Sequence, residues 1–143
     1  MKKPFFLLIL LVIVSMAAAQ TYRVDMTTYS NKDFKWRAVS SHAVVELYGA
    51  TTKATWIALT KALVMNDWVI RTQDEQSGIM TAEKSCSIPN LATGGTDPLS
   101  YSVFASVSES DTKVTVDLEG TMLARGWIRN ILKKMLSELR EGR

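Results

Sequence analysis

The sequence is poor in the residues that most often carry chemistry, with one cysteine, Cys86, and one histidine, His42, in the whole chain. A lone thiol excludes an internal disulfide, so packing must hold the fold even in a compartment that permits disulfides. One His and one Cys do not make a tetrahedral zinc site without two added carboxylates. Asp74-Glu75 lacks the EF-hand spacing, and the Gly94-Gly95-Thr96 stretch lacks the Gly-Lys-Ser/Thr of a phosphate loop. No metal site and no cofactor are therefore expected. Asp117 and Glu119 fall on one face of one strand and read as solubilising charges rather than a glycosidase pair. The remaining catalytic arrangement is a Cys86–His42 nucleophile and base, and neither residue lies in a local catalytic signature. Cys86 reads as a small half-buried residue at a strand end, and His42 as a strand-edge residue. The protein is not expected to be an enzyme.

Apolar runs are equally scarce, with one exception at the start. Met1-Lys2-Lys3 precedes an almost wholly apolar stretch from Pro4 to Val14, followed by Ser15-Met16-Ala17-Ala18-Ala19-Gln20. A positive start, an apolar core of about ten residues and small residues at Ala17 and Ala19 are the three parts of a secretory signal peptide cleaved before Gln20. The run is shorter than the ~20 residues a spanning helix needs, and no Cys stands near the cleavage site to accept a lipid. The mature protein is thus expected to be periplasmic or secreted, with no stable membrane anchor.

Charge of one sign is also lacking. The precursor carries 17 basic and 14 acidic residues, with a formal net charge of +3. Loss of Lys2 and Lys3 with the signal removes two of those three charges, so the basic pI belongs mostly to the precursor. A near-neutral surface gives no support for nucleic-acid binding, which needs a concentrated positive patch.

What remains reads as a lead-in segment over 20–41 and a single domain over 42–143. The lead-in has no sustained period and carries Tyr22, Tyr29, Phe34 and Trp36. Aromatics are sparse in disordered tails, so part of it is expected to dock. His42–Tyr48 reads as a strand closed by Gly49. Thr51 or Thr52 then caps an amphipathic helix to about Asn66, with Trp56, Leu59, Leu63 and the neighbouring Ile57 and Val64 on its apolar side. Strands are expected over 67–73 and 79–84, joined at Gly78, and over 101–107 and 113–119. Pro89, Pro98 and Gly94-Gly95 mark 87–99 as loop.

The last strand alternates, with Val114, Val116 and Leu118 on one face. A terminal helix follows, with Ile128, Ile131, Leu132, Met135, Leu136 and Leu139 as its stripe and Arg125, Arg129, Lys133, Lys134 and Arg140 as a solvated face. The expected fold is α+β: a two-layer sandwich of five mainly antiparallel strands with both helices on one face, in the order β-α-β-β-β-β-α.

The segment Ala54 to Ala82, with Trp56, Leu59, Leu63, Trp68, Ile70, Asp74, Gly78 and Ile79, resembles the helix-grip domains of the outer-membrane assembly lipoprotein BamC and related bacterial exported domains. The resemblance covers roughly residues 42–140. It implies an envelope location and a helix-on-sheet fold; the chain departs from that family in having one module and no lipid-acceptor Cys.

Val69, Met80 and Phe104 are expected to leave apolar surface on the sheet face away from the helices, a mark of a partner or of self-covering by Phe34 and Trp36. With Asn90, Gly94 and Gly95 in the loop, they form the expected contact surface for an envelope or secreted protein, or for a second copy in a homodimer. The sequence therefore reads as a non-enzymatic interaction module. Its alternative is a small-molecule or lipid carrier with an apolar cavity between sheet and helices.

Overall fold

The computed structural model describes residues 20–30, 32, 41–121 and 125–142. The cleavage-site residues Ala17 and Ala19 and the expected covering residues Phe34 and Trp36 lie outside these. Among the described residues are six strands, β1 (Gln20–Asp25), β2 (His42–Tyr48), β3 (Val69–Asp74), β4 (Ile79–Pro89), β5 (Thr96–Ser110) and β6 (Lys113–Gly120), and two helices, α1 (Thr52–Met65) and α2 (Arg125–Glu141). They form one mixed sheet, in the order β1-β2-β6-β5-β4-β3, under a helix pair.

The α+β class and the two helices agree with the sequence reading; the strand count and order do not. The sixth strand is β1, which pairs in parallel with β2 so that Tyr22 lies beside Val45 and Val24 beside Leu47. Tyr22, Val24 and Met26 are buried while Thr21, Arg23 and Asp25 face solvent. This period of two puts a short edge strand into what the sequence presents as lead-in. All other neighbours are antiparallel.

Helix α1 starts where Thr51 accepts a hydrogen bond from the Ala54 backbone at 3.1 Å, answering one of the donors that a first turn leaves unpaired. Its buried face is Thr55, Trp56, Ala58, Leu59, Ala62 and Leu63. Ile57 and Val64, expected on that face, are exposed instead. At about 100° per residue they point away from the line of Leu59 and Leu63, and the small Ala58 and Ala62 complete the stripe.

The helix ends in a Schellman turn: Trp68 N–H donates to the Leu63 carbonyl at 3.0 Å and Asp67 N–H to that of Val64 at 3.1 Å. Asp67 adopts φ +65 there, a conformation that usually goes to glycine. The turn carries Trp68 into the core just before β3 begins. On α2 all six expected stripe residues are buried.

The β3–β4 turn is closed by Gly78, at φ +73. A Cβ there would overlap the carbonyl oxygen of Val107 on β5, whose own N–H donates to the Gly78 carbonyl at 2.8 Å. Both the positive φ and the close approach require glycine at this position.

Candidate binding surface

The sheet face away from the helices divides in two. Over β1, β2 and β6 it is laced with charge: Glu46 meets Lys113 Nζ at 3.0 Å and Arg23 Nε at 3.2 Å. His42 Nε2 lies 2.7 Å from Asp117 Oδ1. The Glu46 carboxyl is held below its usual range, first by the hydrogen bond from Lys113, with desolvation opposing it and Coulombic attraction to Lys113 and Arg23 and a hydrogen bond from Tyr48 adding to it.

Over β3, β4 and β5 this outer face keeps three exposed apolar residues, Val69, Ile79 and Phe104. Val69 and Phe104 are expected here from the sequence and Ile79 is not. Met80, assigned to this face from sequence, is fully buried against the helices. Met80 and Ala82 point inward, so Ile79, Thr81 and Glu83 point outward; a phase error of one residue exchanges the two faces. Phe104 stands opposite Thr81 on β4 and Glu119 on β6, and Val69 opposite Glu83. The exposed apolar residues are thus interspersed with polar ones.

The segment read as loop contains the structure's most conspicuous feature. Strands β4 and β5 remain paired from Ile79 with Ser106 out to Pro89 with Thr96. Strand β3 accompanies β4 only as far as Glu83, and β6 accompanies β5 only from Val103 onward. Residues 84–89 and 96–102 therefore form a two-stranded arm, and no described strand lies along either side of it. Pro89 and Pro98 break the run of unpaired N–H groups on those edges, where proline is tolerated because there is no ladder partner to lose.

Asn90, Gly94 and Gly95 build the tip. Asn90 N–H donates to the Gly95 carbonyl at 2.8 Å and Gly94 N–H to the Asn90 carbonyl at 3.0 Å. Asn90 Nδ2 donates to Asp97 at 2.9 Å, while its Oδ1 accepts from the Ala92 backbone at 3.0 Å. These residues hold the turn and present Leu91, whose side chain is 98% exposed.

The two faces of the arm differ chemically. Ser85, Ser87 and Pro89 alternate with Lys84, Cys86 and Ile88. The second set continues the inward phase of Met80 and Ala82. Opposite it on β5 stand Tyr101, Leu99 and Asp97. A stripe of apolar residues, interrupted by Lys84 and Asp97, therefore leaves the core along one side of the arm: Tyr101 is buried, Cys86 and Leu99 are half-buried and Ile88 is exposed, and beyond it Leu91 in the tip turn is fully exposed. Neither Ile88 nor Leu91 stands out in the sequence, because the prolines and glycines mask the alternation.

The stripe is rooted in an aromatic cluster. Trp127 at the start of α2 meets Tyr101 edge-on at 4.5 Å between ring centroids and Trp68 at 5.9 Å. Lys84 Nζ lies 5.0 Å over the Trp127 ring and donates to the Asn66 carbonyl at 2.8 Å. Trp68 Nε1 is buried with no acceptor among the described residues, a local cost. Burial raises the Tyr101 hydroxyl above its usual pKa, and its hydrogen bond with Cys86 adds to the rise.

The structure does not bring Cys86 and His42 together. Cys86 projects on the helix side of β4, and His42, paired with Asp117, on the outer side of β2, with β5 and β6 between. Among the described residues no three His, Cys, Asp or Glu side chains gather as metal ligands would, and no helix is long and apolar enough to cross a membrane. No protein-family model and no curated protein matches this chain.

Proposed function

We propose that this protein is an exported, non-enzymatic interaction module of the bacterial cell envelope that docks an envelope or secreted protein along its β4–β5 arm. The observation that carries the reading is the loss of cover outward along the arm, from Tyr101 in the core through half-buried Cys86 and Leu99 to exposed Ile88 and, in the tip turn, Leu91. An exposed apolar residue on a projecting, backbone-ordered arm is costly to solubility unless something covers it in use. The fixed hairpin geometry keeps the entropy lost on docking low.

Export rests on the signal-like first nineteen residues. Cleavage before Gln20 would leave β1, which starts at Gln20, intact on the mature chain. The proposed kinship with BamC-type helix-grip domains rests on Ala54–Ala82, the segment that forms α1, the Schellman turn and the β3–β4 hairpin. The alternative of a carrier with a cavity between sheet and helices has less support, because Leu47, Leu59, Met80, Leu118 and Leu132 fill that layer and are fully buried.

The test is crosslinking in the cells that make the protein, comparing wild type with Leu91→Asp. Leu91 is wholly exposed, so the change should alter stability by no more than about 0.5 kcal/mol. A discrete partner, another protein or a second copy, lost in Leu91→Asp supports the reading. An unchanged crosslinking pattern contradicts it.

A further inference from the structure

At the far end of the helix layer from the aromatic cluster, α1 and α2 do not close on each other. Ala54 and Ala58 stand one turn apart on α1, Ala50 precedes its cap, and Gly142 follows Glu138 by one turn at the end of α2. These small residues leave an open cleft of about 340 Å³. That is more than twice the ~150 Å³ apolar cavity that accommodates benzene, and at the lower end of the size of small-molecule sites. Its apolar lining includes the exposed Ala54 and Ile57 together with Met26, Ala58 and Leu139, which are buried. Ile57 is 46% exposed, so the cleft accounts for an apolar side chain that the core does not use.

One corner of the cleft is charged. Glu138 lies 3.8 Å from Lys61 Nζ across the helix pair and 3.5 Å from Lys134 Nζ on its own helix. Two ammonium groups thus face one carboxylate. Lys61 lines the cleft, its side chain is 59% exposed, and an ammonium has three donors of which Glu138 takes at most one. Glu138 also lines the cleft, and Lys134, which does not, takes its other oxygen, so Glu138 is shared and leaves Lys61 incompletely neutralised.

We propose that the cleft is a binding site for a small apolar molecule bearing one anionic group, with its apolar body against Ala54 and Ile57 and its anion at Lys61. This is a site separate from the arm, and it stands or falls independently of partner docking.

The test is fluorescence titration with two probes of similar shape, 8-anilinonaphthalene-1-sulfonate and the uncharged N-phenyl-1-naphthylamine. Both should bind saturably at one site, the sulfonate more tightly by up to about fivefold, the factor equivalent to ~1 kcal/mol for an exposed charge pair. Lys61→Gln should remove that preference. Ala54→Trp, which fills the cleft, should abolish saturable binding of both, while Leu91→Asp and Phe104→Ser leave it unchanged. Should Ala54→Trp fail to fold, Ile57→Glu at a half-exposed helix position serves instead, and it should reject the sulfonate. Absence of saturable binding to the wild type, or undiminished binding to the cleft variants, overturns the proposal. Equal affinity for the two probes overturns the anionic assignment.

Discussion

Strands β4 and β5 each run through two environments. Over 79–83 and 103–110 they are flanked by β3 and β6 and covered by helices, and their inward residues Met80, Ala82, Val103, Ala105 and Val107 are buried. Over 84–89 and 96–102 the same two chains continue their pairing with no described strand on either side. The inward phase persists, but less and less of the molecule lies beneath it. Identical secondary structure therefore has unequal stability along its length: packing holds the inner half and, through Tyr101 and Lys84 against Trp127, the root of the arm, while the rest of the arm relies on its own ladder and tip hydrogen bonds. The inner half is built for folding. The arm offers apolar surface that folding does not consume.

The largest expected effect separates the two faces of one strand. Met80→Asp buries a carboxylate without a partner and should destabilise by about 4 kcal/mol or more, whereas Ile79→Asp next door should cost about 1 kcal/mol or less. Urea unfolding of the pair measures the contrast directly. Similar losses for both would show that β4 does not hold this register.

Next comes the β3–β4 turn, which locks the inner half of the hairpin. Gly78→Ala combines a positive φ with overlap on the Val107 carbonyl and should cost about 2–3 kcal/mol in the same assay. An Ala replacing Gly94, at the arm tip, has the strain of a positive φ but open space around it, so its cost should be about 1–2 kcal/mol and confined to the arm. Amide exchange resolves the two: the first variant loosens the sheet, the second only the arm.

Asp67→Gly should act in the opposite direction. With φ +65 at the C-terminal turn of α1, glycine relieves strain and should raise stability by about 1 kcal/mol. A thermal midpoint higher by a few degrees is the expected result.

The smallest effect is on acid stability. Glu46 is held below its ordinary 4.5, first by its hydrogen bond with Lys113. Asp74 is held below its ordinary 3.8, first by its side-chain hydrogen bond from Ser77. A carboxyl whose folded pKa is depressed adds stability above its unfolded pKa and loses it as pH falls through the folded one. The unfolding midpoint should therefore drop as pH falls below about 4.5. Glu46→Gln should flatten part of that slope, and an unaltered slope would remove Glu46 from the account.

The residues explain which parts of this fold could be read in advance. Helix α2 shows its stripe because six apolar residues recur over three turns, and β6 shows its face because Val114, Val116 and Leu118 alternate with charge. Strand β1 was hidden because its alternation, Tyr22, Val24 and Met26, is brief and sits inside a longer polar segment. The arm was hidden for a different reason. Pro89, Pro98 and Gly94-Gly95 are loop residues by local propensity, and they become compatible with strands only where both edges are free. Whether edges are free is a property of the whole sheet, and local sequence does not encode it. Of the residues expected to form a contact surface, Phe104 and Val69 are exposed, Asn90, Gly94 and Gly95 build the arm tip and Met80 is core, while Ile88 and Leu91 are exposed without having stood out in the sequence.

The most direct measurement of the central claim is site-specific photocrosslinking in living cells, with benzoylphenylalanine in place of Leu91, Ile88, Phe104 or Thr115 in turn. The account predicts a discrete adduct from positions 91 and 88, little from 104, and none from 115 on the charged half of the outer face. An adduct from 104 with none from 91 or 88 would contradict it and would move the docking surface from the arm to the open sheet.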